Sequence, residues 1–325
     1  MLLSVIVPCY NEQDVLHATH ERLTSVLAGM AWLNYELIFV NDGSHDDTQL
    51  LLAQLQCVDP YVRVLLLSRN FGHQIAVTAG LEEASGDAVV IIDADLQDPP
   101  EVIPQMVQLW RNGNDVVYGL RIDRPGESTF KLWTAKVFYR LINRLSETKM
   151  PFDAGDFRLL DRRVVQVINE MPERARFLRG MVSWAGFRQI SLPYERAPRH
   201  AGKSKYPFTK MVSFAMDGII SFSLVPLKLA IWTGFLAMGI AILGIIAAII
   251  DRLIETNIAR GWASLFVAVL FMGGVQLVSL GILGEYLGRI YTEVKRRPLY
   301  VVQERLGFAA ATKAESDRKQ MNAVV

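Results

Sequence analysis

The sequence predicts an α/β domain with a mainly parallel, Rossmann-like sheet, followed by amphipathic interfacial helices and a two-helix transmembrane hairpin. Three observations carry this expectation. Apolar, β-rich runs alternate with helical patterns through roughly the first 120 residues, as in folds built around a parallel sheet. Polar clusters stand where successive strands should end, the edge at which such sheets bind ligands. Further on, two stretches of 22 and 24 residues carry no formal charge.

The strands are expected at residues 4–7, 35–40, 62–67, 88–92 and 115–118, with helices over 12–27, 46–56, 74–84 and 100–110. Ser44-His45-Asp46-Asp47 reads as a capping box, and Asp98 before Pro99-Pro100 as an N-cap with proline in the first turn. Three clusters fall at strand ends: Pro8-Cys9-Tyr10-Asn11-Glu12, Asn41-Asp42-Gly43-Ser44 and Asp93-Ala94-Asp95-Leu96-Gln97. No Gly-x-Gly-x-x-Gly follows the first strand and no Gly-Lys-Ser/Thr loop occurs, which argues against a dinucleotide oxidoreductase and an NTPase.

The uncharged stretches are residues 229–250 and 261–284, joined by 251–260 with two acids and two bases. At about 1.5 Å per residue each reaches the roughly 30 Å of a hydrocarbon core. Lys203, Lys205, Lys210 and Lys228 precede the pair, and Arg289, Lys295, Arg296 and Arg297 follow it. That bias puts both flanks on the cytoplasmic side and the linker outside. The expected place is therefore the inner (plasma) membrane, multi-pass, with the catalytic domain and both termini in the cytoplasm. Residues 130–146 and 205–225 mix lysine and arginine with aromatic and aliphatic residues, as helices lying on an anionic membrane surface do; packing on the domain core is the alternative. The expected domains are 1–204 (soluble), 205–225 (interfacial), 226–288 (spans) and 289–325 (cytoplasmic tail).

Composition narrows the class further. The 325 residues are 51% hydrophobic with a mean hydropathy of +0.23, high for a wholly soluble protein. A net charge of +1 gives no bulk field for nucleic acid. Cys9 and Cys57 form neither a disulfide framework nor a metal-ligand spacing, which fits a reducing compartment. The opening run is too short, and lacks the basic start, for a signal peptide. None of His17, His20, His45, His73 and His200 shows ligand spacing, and all five read as structural or surface residues.

Asp93 and Asp95 stand one residue apart at the end of an apolar strand. Such a pair can share a divalent cation that also grips a diphosphate, and hard oxygen donors favour Mg²⁺ or Mn²⁺. Asp42 is placed to accept hydrogen bonds from a base or ribose. A diphosphate site attached to a bilayer points to chemistry between a nucleotide and a lipid.

The segments Val5-Ile6-Val7-Pro8-Cys9-Tyr10-Asn11-Glu12, Val40-Asn41-Asp42-Gly43-Ser44 and Asp93-Ala94-Asp95-Leu96-Gln97-Asp98-Pro99-Pro100 resemble the nucleotide-sugar motifs of family 2 glycosyltransferases of the GT-A fold. Three more segments, Gly119-Leu120-Arg121-Ile122-Asp123-Arg124, Asp153-Ala154-Gly155-Asp156-Phe157-Arg158 and His200-Ala201-Gly202-Lys203-Ser204-Lys205-Tyr206, resemble the polyprenyl-phosphate sugar transferases, and bactoprenol glucosyltransferases most closely. The resemblance covers about residues 1–305; the polar 309–325 lies outside it and reads as disordered.

This resemblance implies metal-dependent, inverting transfer of a sugar from a nucleotide sugar, UDP-glucose the first choice, to a polyprenyl phosphate such as undecaprenyl phosphate. It implies that Pro8, Tyr10, Glu12, Asp42, Asp93 and Gln97 bind the nucleotide sugar, with metal on Asp93 and Asp95. Asp95, Arg121 and one of Asp153 and Asp156 would serve the reaction, while Arg124, Arg199, Ser204 and Lys205 hold the acceptor phosphate. A homo-oligomer is a family expectation. A lipid-hydroxyl acceptor, another donor such as GDP-mannose, and a non-catalytic nucleotide-binding membrane scaffold stay open.

Overall fold

The computed structural model describes residues 1–121, 154–195, 225–254 and 262–308. They fall into two compact units, one of 1–121, 154–195 and 296–308, the other of 225–254 and 262–295.

The first unit is built on an eight-stranded sheet. In chain order its strands are β1 (Leu2–Cys9), β2 (Asn34–Asn41), β3 (Val62–Leu67), β4 (Ala88–Ile91), β5 (Val116–Arg121), β6 (Ala154–Asp161), β7 (Gln189–Tyr194) and β8 (Val302–Leu306). The spatial order is β7-β5-β6-β4-β1-β2-β3-β8. β1 pairs in parallel with β2 and β4, β2 with β3, and β5 with β7. β6 runs antiparallel between β4 and β5, and β8 antiparallel along β3. The expected Rossmann-like, mainly parallel architecture is thus present, with two antiparallel strands added.

Helices α1 (Leu16–Ala28), α2 (Thr48–Val58), α3 (His73–Glu83), α4 (Ile103–Arg111), α5 (Arg162–Glu170) and α6 (Leu178–Trp184) connect or flank the strands. Side-chain alternation along the strands sorts the core into two layers. Leu3, Val5, Val7, Leu37 and Phe39 pack on one face with Leu16, Leu23, Leu52 and Met106. Ile6, Ile38, Val40, Leu65 and Ile91 pack on the other with Val77, Leu81, Val165 and Met181. The sheet is buried on both faces, so its inner strands read as nearly continuous apolar runs.

Two expected caps have other duties. Asp47, not Ser44, stands at the N-cap of α2, without a side-chain cap bond; Ser44 Oγ instead donates to Asn41 Oδ1 at 2.6 Å and accepts from Asn11 N at 3.0 Å. Pro99 is the N-cap of the 3₁₀ turn Pro100–Val102, and Asp98 is buried and pairs elsewhere.

In the second unit, α7 (Val225–Ile254) and α8 (Trp262–Val294) pack against each other. Exposed Trp232, Phe235, Leu236, Leu277, Leu280 and Leu283 stud their surfaces. Among the described residues one stretch, Phe271–Val294, is long and apolar enough to cross a membrane, and Ala230–Gly244 is a shorter apolar helix. The interfacial segments expected at 130–146 and 205–224 lie outside the described residues.

Of the segment 289–325, read from the sequence as a cytoplasmic tail, the described residues 289–308 finish α8 and form a strand. α8 continues to Val294, and the chain then returns to the first unit as β8. Ser68 N donates to Val301 O at 2.9 Å, Tyr300 hydroxyl donates to Glu82 at 2.6 Å, and Arg305 pairs with Glu83 at 2.9 Å. A polar strand on a sheet edge carries little of the alternation by which strands are recognised.

Candidate active site

All five parallel strands from β1 to β5 end at one edge, and antiparallel β6 begins there. β4 and β6 pair Ile91 with Arg158; carried two residues further, that register sets Asp93 opposite Asp156. The two carboxylates meet through topology, although more than sixty residues separate them in sequence.

His73, the first residue of α3, stands between them. Its Nε2 is 3.7 Å from Asp93 Oδ1 and 3.5 Å from Asp156 Oδ2. Arg179 of α6 grips Asp156 through two bonds, Nε to Oδ1 at 2.8 Å and Nη2 to Oδ2 at 3.2 Å. Gln74 adds a donor to Asp156 at 3.3 Å and accepts from the Leu178 amide at 3.1 Å. Burial works upward on Asp156, but Arg179 and His73 hold its carboxyl well below the usual range. Burial works downward on His73, and the adjacent carboxylates of Asp156 and Asp93 outweigh it, lifting the imidazole to about 9. Asp93 goes the other way: burial, with Asp156, Asp98 and Asp95 nearby, pushes it up to about 6 against the pull of His73. Carboxylates and cations alternate along this edge, with Asp93, Asp98 and Asp156 facing His73, Arg121 and Arg179.

The turn after β4 is tightly made. Leu96 is buried at φ 57, and Asp95 Oδ1 accepts from Gln97 N at 3.2 Å. Thr19 of α1 donates to Ala94 O at 2.7 Å and fixes the turn from below. Two oxygen-donor carboxylates one residue apart suit a hard divalent ion. Among the described residues no group of three or more His, Cys, Asp or Glu is disposed to hold a metal alone, so a diphosphate or water would have to complete the shell.

The loops after β1 and β2 are stitched together. Asn11, at φ 55, accepts from His45 N at 2.9 Å, and Glu12 N donates to Thr48 Oγ1 at 2.9 Å. Pro8 lies within β1 opposite Val40, and Tyr10 meets His45 edge to face at 6.4 Å. Asp42 is buried and accepts from the amides of Phe71 and Gly72 at 2.7 and 2.9 Å. Burial raises its carboxyl, and those two amides partly offset the rise. It therefore anchors the loop from which α3 presents His73.

Arg121, the last residue of β5, donates Nε–H to the Tyr194 hydroxyl at 3.2 Å and lies 3.5 Å from Asp98. The Tyr194 hydroxyl in turn donates to Asp98 Oδ1. Asp98 and Tyr194 raise the Arg121 guanidinium further, against its burial. Of the residues singled out from sequence, Asp93, Asp95, Gln97, Asp156 and Arg121 are thus brought to one edge, and Pro8, Tyr10, Glu12 and Asp42 line the neighbouring loops. Asp153, Arg124, Arg199, Ser204 and Lys205 lie outside the described residues.

Sequence reasoning missed His73, Arg179 and Tyr194. For His73 a signal existed: Ser68-Arg69-Asn70-Phe71-Gly72-His73 stands at the end of the third parallel strand, the same edge as the other clusters. The structure seats His73, read from the sequence as a structural or surface residue, between two carboxylates at the site edge. Arg179 and Tyr194 sit on elements without a comparable signal.

The family model described as Glycosyl transferase family 2 matches residues 4–168, which takes in every strand from β1 to β6. Full-length relatives extend the likeness. The uncharacterized glycosyltransferase YkcC of Bacillus subtilis (strain 168) is 47% identical over 305 residues, covering 94% of each chain. The uncharacterized glycosyltransferase sll0501 of Synechocystis sp. is 48% identical over 309 residues, covering 94% of this chain and 96% of that one. The SfII prophage-derived bactoprenol glucosyl transferase of Shigella flexneri is 42% identical over 304 residues, covering 94% of this chain and 98% of its own. On the strength of the family match and of identity sustained from end to end, this chain belongs to glycosyl transferase family 2.

Proposed function

We propose that the protein transfers a sugar, glucose from UDP-glucose the first choice, to the phosphate of a membrane polyprenyl phosphate such as undecaprenyl phosphate, with inversion at the anomeric carbon. The observation that carries this reading is the 42% identity to a bactoprenol glucosyl transferase over 94% of this chain, joined to a strand-end edge where Asp93 and Asp156 stand beside His73.

In the reaction, an acceptor phosphate oxygen attacks the anomeric carbon and nucleoside diphosphate leaves. A phosphate monoester with a second pKa of about 6 is already largely dianionic near neutrality, so strong general-base help is less necessary than for a sugar hydroxyl acceptor. Asp93 and Asp95 would hold Mg²⁺ or Mn²⁺, which would supply positive charge to the departing diphosphate. Arg121 adds a fixed guanidinium for the charge that develops on the leaving group. Asp156, kept ionised by Arg179 and His73, or Asp153 orients the acceptor. Pro8, Tyr10, Glu12, Asp42 and Gln97 shape the nucleotide-sugar pocket, and Arg124, Arg199, Ser204 and Lys205 receive the acceptor phosphate.

α7 and α8 cross the inner (plasma) membrane as a hairpin, with 130–146 and 205–225 on its surface and the working domain in the cytoplasm. The exposed apolar side chains along both helices support this placement. Gly273, Gly274, Gly281, Gly284 and Gly288 have open space beside them, which suits close helix contacts in a homo-oligomer.

The test is a transfer assay on purified protein in detergent or lipid, with radiolabelled UDP-glucose, undecaprenyl phosphate and Mg²⁺ or Mn²⁺, with and without EDTA. Metal-dependent formation of a mild-acid-labile glycolipid is the expected outcome. No product from this acceptor with any of a panel of nucleotide sugars would overturn the reading.

A further inference from the structure

We propose that Tyr194, together with Asp98, is a positioning residue that sets the Arg121 guanidinium for the transfer reaction. The inference rests on the reading that Arg121 serves the departing diphosphate. Tyr194 lies beyond residues 4–168, the part of the chain that the family model matches, and nothing in the strand-end motifs points to it.

Four elements converge on this guanidinium. Asp98 comes from the segment after β4, Arg121 ends β5, Gly155 is the second residue of β6, and Tyr194 ends β7. Tyr194 and Asp98 are 4% and 0% exposed, whereas 21% of the Arg121 side chain remains open. A Cβ at Gly155 would lie 3.0 Å from Arg121 Nη2 and 3.3 Å from Cζ, so the fork lies close along the Gly155 backbone and a side chain there would displace it slightly. The Tyr194 ring is itself held, edge to face with Phe157 at 5.6 Å.

The contrast with Arg179 shows what this arrangement does. Arg179 meets Asp156 at 2.8 and 3.2 Å, a two-point pair that commits its charge to one carboxylate. Arg121 stands 3.5 Å from Asp98, and its Nε–H goes to a neutral hydroxyl at 3.2 Å. Tyr194 takes the close hydrogen bond to Asp98, so Asp98, Tyr194 and Arg121 form one cluster in which the guanidinium is held without a two-point carboxylate pair. One edge of the fork is fixed, and the 21% of the side chain that stays open can face an arriving anion. An arginine free to rotate would have to be ordered at each turnover, because its side chain carries about 2 kcal/mol of rotamer entropy. Fixing it beforehand is preorganisation of an electrostatic catalyst.

The experiment is a double-mutant cycle on the full chain in detergent, with Tyr194→Phe, Arg121→Ala and the pair, read in turnover of UDP-glucose with undecaprenyl phosphate and in UDP affinity with Mg²⁺. Tyr194→Phe keeps the ring against Phe157 and removes only the hydroxyl. It should lower kcat and UDP affinity about tenfold, the scale of a hydrogen bond to a charged group, with donor KM within about twofold. In the Arg121→Ala background the same change should do nothing further to UDP affinity. An equal loss in both backgrounds would make Tyr194 merely structural and overturn the proposal. Wild-type behaviour of Tyr194→Phe, where Arg121→Ala is impaired, would overturn the positioning role alone. Wild-type behaviour of Arg121→Ala, or no UDP binding by the unmodified protein, would remove the role of Arg121 and the proposal with it. If Tyr194→Phe does not fold, Asp98→Asn takes its place under the same criteria.

Discussion

Gly43 lies against the backbone of Arg69: a Cβ on Gly43 would sit 2.4 Å from the Arg69 carbonyl carbon and 2.6 Å from Asn70 N. With φ at 65, the position penalises side chains by conformation and excludes them by space. Gly43→Ala should destabilise the protein by about 2 kcal/mol or more and push away the loop that Asp42 anchors. Gly113→Ala is the control, since Gly113 also has positive φ (93) but nothing within 4 Å of an added Cβ. Thermal unfolding of both variants separates the clash from the backbone cost, and equal losses would remove the clash.

The His73 imidazolium gives a pH signature. Its folded pKa of about 9 lies above the unfolded value of about 6.5. The stabilisation it provides is therefore complete below pH 6.5 and disappears as pH rises through 9. In metal-free protein the stability gap between wild type and His73→Asn should shrink from about 1 kcal/mol at pH 6 towards zero by pH 10, the modest size reflecting a side chain 36% exposed. A gap that does not change with pH would mean that His73 is neutral where it sits.

Arg179→Ala leaves Asp156 without its two-point partner, at a cost of about 2 kcal/mol for a largely buried carboxylate. Its pKa should rise towards the ordinary range. The variant should lose stability at neutral pH and lose less than wild type on acidification below the ordinary carboxylate value of about 3.9, because only in wild type is the Asp156 carboxyl held well below that value. Unfolding midpoints at pH 7 and about pH 3 test this.

Asp95→Ala should reduce turnover at least about a thousandfold, the scale of a lost electrostatic element at a reacting centre, while the unfolding midpoint changes little because Asp95 lies at a partly exposed turn. Adding Mg²⁺ should raise the wild-type midpoint and leave that of the variant unmoved. Near-normal turnover by Asp95→Ala would sink the metal assignment.

The central strands were legible because both faces of the sheet are buried. Val62–Leu67 matches its expected range, Ala88–Ile91 stops one residue short of its own, and Asn34–Asn41 runs one residue beyond its own at each end. β6 was not foreseen: Asp156, Arg158 and Asp161 interrupt it, although Arg158 is buried with its guanidinium donating to Gly155 O at 2.9 Å. A charged residue satisfied by a backbone carbonyl looks like loop until the carbonyl is seen. Asp93 and Asp95 were legible as a local motif. Their neighbours His73, Asp156 and Arg179 come together only through the antiparallel insertion of β6, and Asp156 alone had been marked, through its resemblance to a known segment.

The return of the chain as β8 bears on how the protein is made. β3 stays an open sheet edge while residues 68 to 301 emerge from the ribosome, and its last partner arrives only after both long helices have been synthesised. Residues Val64 and Leu306 pair across a separation that spans most of the sequence, a contact whose closure is slow because of its length. A nascent chain stalled before residue 302 would thus carry an unprotected edge strand open to pairing with another chain. Completion of the fold is tied to completion of the helices, so a domain whose helices were never made would also lack its closing strand.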